Sequence, residues 1–128
     1  MAQSVNNIIR DSQGKYLLQM RDGSEGICNP LLWNLFGGGL NGSDEEPLKA
    51  AVRELKEELG KDASENDFQL KGTVGEGEKM VYVFEYLSTV EWKDLVVQEG
   101  AGAGYFTKDE MLKIPITEKT KLILEKYL

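Results

Sequence analysis

The sequence predicts one domain of the α/β (α+β) class, in which helices cover both faces of a β-sheet. With 128 residues, the chain can bury roughly two-thirds of the surface that it exposes when unfolded, which is typical of a single core. Residues 80–87 are apolar on both faces except at Glu85, as expected for a strand inside a covered sheet. Residues 43–60 and 117–127 have helical patterns. Together these features predict a three-layer α/β/α sandwich over residues 1–128.

The first two strands are predicted at residues 4–10 and 16–20. Residues 11–14 have the composition of a turn, so these strands are predicted to form a hairpin. The apolar run at 31–36 ends at three consecutive glycines, and residues 37–44 are therefore predicted to form a loop.

A long helix is predicted to follow this loop. Ser43 with Glu46 three residues later forms a capping-box pattern, Pro47 is tolerated in the first turn, and Gly60 ends the helix. The acidic residues are expected on the face opposite an apolar stripe. That stripe consists of Leu48, Val52, Leu55 and Leu59.

The second half of the chain is predicted to contain three strands and two helices. The strands are expected at residues 68–74, 80–87 and 105–107. A short helix is expected at 108–112 and a terminal one at 117–127. The buried side of the terminal helix is predicted to carry Leu122, Ile123 and Tyr127.

Composition excludes several kinds of chemistry. The 22 acidic and 15 basic residues give a net charge of -7, which argues against binding a nucleic-acid polymer or an anionic membrane. The chain has no His and a single Cys, Cys28, which excludes internal disulfides, His/Cys zinc sites and catalysis by imidazole. A metal site would therefore use oxygen ligands, which suit magnesium, manganese or calcium.

The sequence predicts a cytoplasmic protein. The first five residues lack the basic and apolar regions of a targeting signal. The longest uncharged stretch, residues 26–43, contains asparagines, a proline and three consecutive glycines, so it is not expected to span a membrane.

Three glutamates of the long helix are candidates for chemistry. Glu54, Glu57 and Glu58 are spaced i, i+3 and i+4, which places their carboxylates on one face within a single turn. Like charges four residues apart destabilise an isolated helix by roughly 0.2 to 0.5 kcal/mol. A bound cation would offset that cost, whereas the alternative interpretation is a solvated acidic face.

The surrounding sequence, residues 39–61, resembles the Nudix box, G-x5-E-x7-R-E-U-x-E-E-x-G-U, where U is aliphatic. All seven fixed Gly, Glu and Arg positions match: Gly39, Glu45, Arg53, Glu54, Glu57, Glu58 and Gly60. Lys61 stands where the family usually has an aliphatic residue, and residues 42–44 depart from the common acidic-x-Gly pattern. The resemblance implies the Nudix-like α/β/α sandwich with a central mixed β-sheet.

The resemblance also assigns roles within the box. It implies that Glu54, Glu57 and Glu58 bind Mg²⁺ or Mn²⁺ with help from the backbone carbonyl of Gly38. Arg53 would orient the carboxylates through charge-assisted hydrogen bonds. Structural support of the box would come from Gly39, Glu45 and Gly60, with Glu45 bracing the loop against the helix.

Further candidates lie outside the box. In the MutT-like branch, a Glu before a short aromatic strand acts as a metal ligand or base, and Glu99 matches that place; the alternative is a solvated loop residue. Arg10 and Arg21 are candidates to bind substrate, with exposed arginines of no such role as the alternative. Glu85 is another candidate base, with a strand-edge or paired carboxylate as the alternative.

The resemblance predicts a Nudix hydrolase that cleaves a nucleoside diphosphate linked to a moiety X, by in-line attack of metal-activated water on phosphorus. The first substrate class is a nucleoside triphosphate, normal or oxidised, giving a monophosphate and pyrophosphate. ADP-ribose, dinucleoside polyphosphates and nucleotide sugars are alternatives. So are a nucleotide sensor without turnover and a structural calcium site. The expected partner is a small nucleotide, and the chain is expected to be a monomer or homodimer.

Overall fold

The computed structural model of the chain describes residues 3–20, 32–42, 45–95 and 102–128. Six strands and three α-helices lie within these ranges, together with three single 3₁₀ turns. The strands are β1 (Ser4–Ile8), β2 (Tyr16–Met20), β3 (Trp33–Gly39), β4 (Phe68–Val74), β5 (Val81–Tyr86) and β6 (Gly102–Phe106). The helices are α1 (Pro47–Leu59), α2 (Lys108–Met111) and α3 (Glu118–Tyr127).

The strands form one mixed sheet in the order β4-β5-β1-β3-β2-β6. Strands β1 and β5 are parallel, and the other neighbouring pairs are antiparallel. One cluster of buried side chains packs beneath α1 and includes Val5, Phe36 and Leu55. A second cluster packs beneath α3 and includes Leu18, Val83 and Ile123. Helices thus cover both faces, which confirms the three-layer sandwich.

The hairpin prediction is wrong, because β3 lies between β1 and β2. The chain does turn back at residues 11–14, where Arg10 and Tyr16 form an isolated bridge and Leu17 N donates to Ile9 O at 2.8 Å. Beyond that point both strands pair with β3 instead of each other. The turn signal was local, whereas the pairing partner comes from farther along the chain.

The predicted loop at the glycine run is also wrong, since residues 37–39 belong to β3 and pair with β1. A side chain on Gly37 would not fit, because its Cβ would stand 2.0 Å from the carbonyl oxygen of Val5. Here glycine permits a close approach of two strands, which the composition rule for loops does not distinguish from a turn.

Helix α1 ends as predicted but begins later. Glu46, in an extended conformation, is the N-cap residue and makes no side-chain capping bond, so the predicted capping box is wrong. Ser43 lies outside the described residues. Pro47 occupies the first turn, and Gly60 adopts a left-handed conformation with φ of 67° while its N–H donates to Lys56 O at 2.8 Å.

The faces of α1 differ from the prediction as well. The stripe residues Leu55 and Leu59 are buried, but so are Glu54 and Glu58, which were expected on the opposite face. Glu58 accepts a hydrogen bond from Gln19 of the sheet, and the carboxylate of Glu54 occupies the space beside Gly38. A strand face covered by apolar side chains would provide neither.

The segment before α3 enters the sheet next to β3. Trp33 N donates to Pro115 O at 2.9 Å, and Thr117 N donates to Trp33 O at 3.0 Å. In α3 itself, Ile123 and Leu124 are buried, whereas Leu122 is 40% exposed, contrary to prediction.

In the described part of the chain, no helix is both long enough and apolar enough to cross a membrane.

Candidate functional site

Gly38 and Glu54 are in direct contact where α1 crosses β3. A Cβ on Gly38 would stand 2.4 Å from Glu54 Oε1 and 2.6 Å from Oε2, so the carboxylate occupies the space that any side chain would need. Glu54 is 8% exposed. The structure therefore brings together the predicted ligands Glu54 and Gly38.

The guanidinium of Arg53 hydrogen-bonds to several residues of the box. Its Nε and Nη2 donate to the two carboxylate oxygens of Glu45, each at 2.9 Å, and Nη2 also donates to Gly39 O at 2.9 Å. Its Nη1 donates to Glu57 Oε2 at 2.9 Å and to Glu54 Oε2 at 3.2 Å. One guanidinium thus orients three carboxylates and one backbone carbonyl.

The electrostatics of this contact favour the charged form of both partners. The hydrogen bond with Glu45, followed by the charges of Glu54, Glu45 and Glu57, raises the pKa of Arg53 despite its burial. The hydrogen bond from Arg53 is the largest cause that lowers the pKa of Glu45, and the backbone N–H of Asn41 adds to it. This Asn41 N–H donates to Glu45 Oε1 at 2.6 Å, and Arg53 of α1 donates to the same carboxylate. Glu45 therefore connects the segment after β3 to α1.

Glu58 is held from the sheet by a residue that sequence reasoning missed. Gln19 in β2 donates from Nε2 to Glu58 Oε2 at 3.1 Å. Glu58 is 2% exposed, whereas the Glu57 side chain is 45% exposed. No motif marks Gln19; the available signal is a polar residue two positions after buried Leu17, on the same inward face of a strand.

A second missed residue anchors the middle of α1. The buried side chain of Asn7 in β1 donates from Nδ2 to the carbonyl oxygen of Ala51 at 3.0 Å. This bond joins the helix to a central strand within two turns of Glu54 and Glu58.

The donor chemistry of these residues fits a hard divalent cation. Glu54, Glu57, Glu58 and the Gly38 carbonyl are oxygen donors of the kind that Mg²⁺ and Mn²⁺ prefer. In the described ranges, however, no three carboxylates converge on one point as they would around an ion. Arg53 Nη1 lies between Glu54 and Glu57 and contacts both.

The remaining predicted residues lie elsewhere. Arg10 Nη2 pairs with Glu85 Oε2 at 2.6 Å, which confirms the interpretation of Glu85 as a paired carboxylate. Glu85 lies on the same face of β5 as Val81 and Val83 of the α3-side cluster, whereas Glu54 belongs to the α1 side. The structure thus does not bring Arg10 to the glutamates.

Arg21 and Glu99 lie outside the described residues.

Comparisons with known proteins agree with this fold. A family model described as the NUDIX domain matches residues 2–127. Among curated proteins, none matches the sequence. Among solved structures, the chain is similar to a MutT protein from Methanosarcina mazei, at 25% identity and a TM-score of 0.74, with 98% of this chain and 91% of that chain covered.

Two further solved structures share the fold at lower identity. A MutT NUDIX hydrolase from Burkholderia pseudomallei is 24% identical, with a TM-score of 0.73 and coverage of 99% of this chain and 98% of that chain. The NUDIX domain of Shewanella oneidensis NrtR, in complex with ADP ribose, is 19% identical, with a TM-score of 0.75 and coverage of 98% and 84%. Since the domain model spans nearly the whole chain, the chain belongs to the Nudix hydrolase family, which acts on pyrophosphate bonds.

Proposed function

We propose that the chain hydrolyses a nucleoside triphosphate, normal or oxidised, to a nucleoside monophosphate and pyrophosphate in a reaction that depends on Mg²⁺ or Mn²⁺. The observation that carries this proposal is the burial of Glu54 and Glu58 against the sheet. Burying carboxylates costs free energy, so a merely solvated acidic face would not place them there.

The box residues have two roles in the proposed site, binding of the cation and orientation of its ligands. Glu54, Glu57 and Glu58, with the carbonyl of Gly38, would hold the divalent cation. The cation, when bound, offsets the charge of the phosphates and activates water for attack on phosphorus. Arg53 orients Glu54 and Glu57 through its hydrogen bonds to both.

The reaction consumes one water for each phosphoanhydride bond. The water oxygen forms a bond to phosphorus and the bond from phosphorus to the bridging oxygen breaks. The bridging oxygen keeps the electron pair and leaves with the other product, which is the monophosphate or the pyrophosphate according to the phosphorus attacked. Glu99 stays the predicted acceptor of the water proton or an additional ligand. Glu99→Gln should lower turnover by about 10² or more if Glu99 is a general base, and unchanged turnover would dismiss that role.

The substrate preference rests on the MutT-type structural relatives. ADP-ribose is the first alternative, because the NrtR NUDIX domain was solved in complex with it. Dinucleoside polyphosphates and nucleotide sugars complete the set of candidates.

The test is a hydrolysis screen with Mg²⁺ over normal and oxidised nucleoside triphosphates, ADP-ribose, dinucleoside polyphosphates and nucleotide sugars, with products identified. Glu57→Gln should lower turnover of the preferred substrate about 100-fold or more, because losing about 3 kcal/mol of metal-dependent stabilisation slows a reaction by that factor. Glu125→Gln, an exposed change on α3, is the matched control and should retain parent turnover.

Each outcome of the screen decides something. A preferred triphosphate that the parent and Glu125→Gln cleave and Glu57→Gln does not would support the proposal. Cleavage of ADP-ribose alone would replace the substrate and keep the metal site. Tight binding of a nucleotide by the folded parent without metal-dependent product would favour a sensor.

A further inference from the structure

The most deeply buried glutamate of the site is held by a neutral side chain of the sheet. Gln19 Nε2 donates to Glu58 Oε2 at 3.1 Å, and Gln19 is 8% exposed. Both partners are therefore largely shielded from bulk water, where a hydrogen bond is electrostatically stronger than it would be at an exposed surface.

The three glutamates are held in two chemically different ways. Arg53 contacts Glu54 and Glu57 and brings a positive charge to both. Gln19 contacts Glu58 with an amide, which fixes the direction of a carboxylate oxygen and adds no positive charge near it. An amide donor is thus compatible with a cation on the same carboxylate, whereas a second guanidinium would repel that cation.

The backbone of Gln19 is fixed on both sides. In the sheet, Gln19 pairs with Asn34 of β3 and with Ala103 of β6. A side chain that starts from an interior strand has a well-defined origin, so its amide can hold a partner with little positional freedom.

We infer that Gln19 is a positioning residue for the divalent cation, acting by fixing the carboxylate of Glu58. This inference rests on the proposed function, because it takes Glu58 as a ligand. Groups that hydrogen-bond to metal ligands commonly change metal affinity or activity about 10- to 100-fold when they are removed. We expect a loss of that size from Gln19→Met, which keeps the length of the side chain and removes its donor.

Two readouts separate positioning from a general effect on the fold. The affinity for Mn²⁺ alone, measured by electron paramagnetic resonance without substrate, should fall about 10- to 100-fold in Gln19→Met. In the hydrolysis assay, the Mg²⁺ concentration for half-maximal turnover should rise by a similar factor, while kcat at saturating Mg²⁺ changes much less. A loss of folded protein would instead lower kcat and leave the half-saturating Mg²⁺ concentration unchanged.

The matched control is Gln69→Met, the same substitution at an exposed position of edge strand β4. Its Mn²⁺ affinity and Mg²⁺ dependence should equal those of the parent. Should Gln19→Met fail to fold, Gln19→Asn keeps an amide that is one methylene too short for the contact, and it should weaken Mn²⁺ binding in the same direction.

The results distinguish this inference from the function on which it rests. A parent that neither binds Mn²⁺ nor cleaves any substrate refutes both. A parent that does both, alongside a folded Gln19 variant with parent affinity for Mn²⁺ and parent Mg²⁺ dependence, refutes the role of Gln19 alone. Lower kcat with unchanged metal affinity also refutes it.

Discussion

Gly38 is the residue at which the sheet makes room for a carboxylate. In Gly38→Ala, the new Cβ would stand 2.4 Å from Glu54 Oε1. Glu54 must rotate away, and since its carboxylate is the end of a flexible side chain, we expect little loss of stability. A misplacement of about 1 Å in an active site can cost about 100-fold in rate, so turnover that depends on a cation held by Glu54 should fall by that order.

Gly39→Ala gives the comparison for this prediction. A Cβ on Gly39 would have no neighbour within 4 Å, so its effect on turnover should be much smaller. Thermal unfolding of both variants, measured beside turnover, shows whether lost activity reflects the site. Equal losses of turnover in the two variants would contradict a special role for the space at Gly38.

The phenol of Tyr105 should ionise at an unusually high pH. Burial, and then the charges of Asp11, Glu91 and Asp94, raise its pKa to about 12, above the ordinary value of about 10. Folding thus favours the neutral phenol, whose OH donates to Val90 O. The resulting stability is fully present below about pH 10 and is lost as the pH rises through 12.

The measurement for Tyr105 is a comparison of the parent with Tyr105→Phe in alkaline solution. The difference between their tyrosinate absorbance curves isolates one phenol, and it should rise near pH 12. The stability advantage of the parent over the variant should shrink across the same range. A midpoint near pH 10 would contradict the burial of this side chain.

At the scale of single residues, the shared helix face of the candidate glutamates follows from the sequence, whereas their surroundings do not. The spacing of Glu54, Glu57 and Glu58 is a local helical property, so it could be read directly. The burial of Glu54 and Glu58 depends on Gly38 and Gln19, which the sheet brings to α1 from other parts of the chain. Pairing over such distances leaves no local pattern.

Among the elements, α3 is tied to β3 by a small buried network. Thr120 Oγ1 donates to Asn34 Oδ1 at 2.8 Å and accepts a bond from Leu35 N at 3.3 Å. Thr117 Oγ1 also reaches Asn34 Oδ1, at 3.0 Å. Because β1 pairs with β3 only at residues 36–39, this hydroxyl serves a strand N–H that the ladder leaves open.

Thr120→Val should destabilise the fold by about 1 to 3 kcal/mol, because it leaves a buried backbone N–H without its acceptor. Thr120→Ser keeps the hydroxyl and loses only a methyl group, worth about 0.8 kcal/mol. Urea unfolding of the two variants tests this order. A Val variant as stable as the Ser variant would show that the hydroxyl contributes nothing.

Elements were predicted well in kind and less well in pairing. Strands β2 and β4 have the predicted bounds, and α1 ends at the predicted glycine. The hairpin of β1 and β2 was wrong because a turn signal does not reveal that a third strand enters between its arms. Residues 37–39 form part of a strand where composition predicts a loop, because glycine permits both turns and close strand contacts.

At the scale of the whole molecule, binding of a cation should increase the free energy of unfolding. A ligand that binds only the folded state raises the free energy of unfolding by about 2.7 kcal/mol at 100 times its dissociation constant. The melting temperature should therefore rise with Mn²⁺ concentration, with a smaller rise in Glu57→Gln. An equal rise in both proteins would place the ion elsewhere on this acidic chain.

The parallel pairing of β1 with β5 sets the order in which the chain can fold. Ser4 pairs with Val81 and Ile8 with Glu85, partners 77 positions apart in each case (81 − 4 and 85 − 8). Closing a loop of that length costs about 4 kcal/mol in its length-dependent part alone. During synthesis, β1 cannot pair with β5 until β5 has been made, and β5 comes after α1 in the chain. Refolding should accordingly take milliseconds or longer, not the microseconds of a helical bundle.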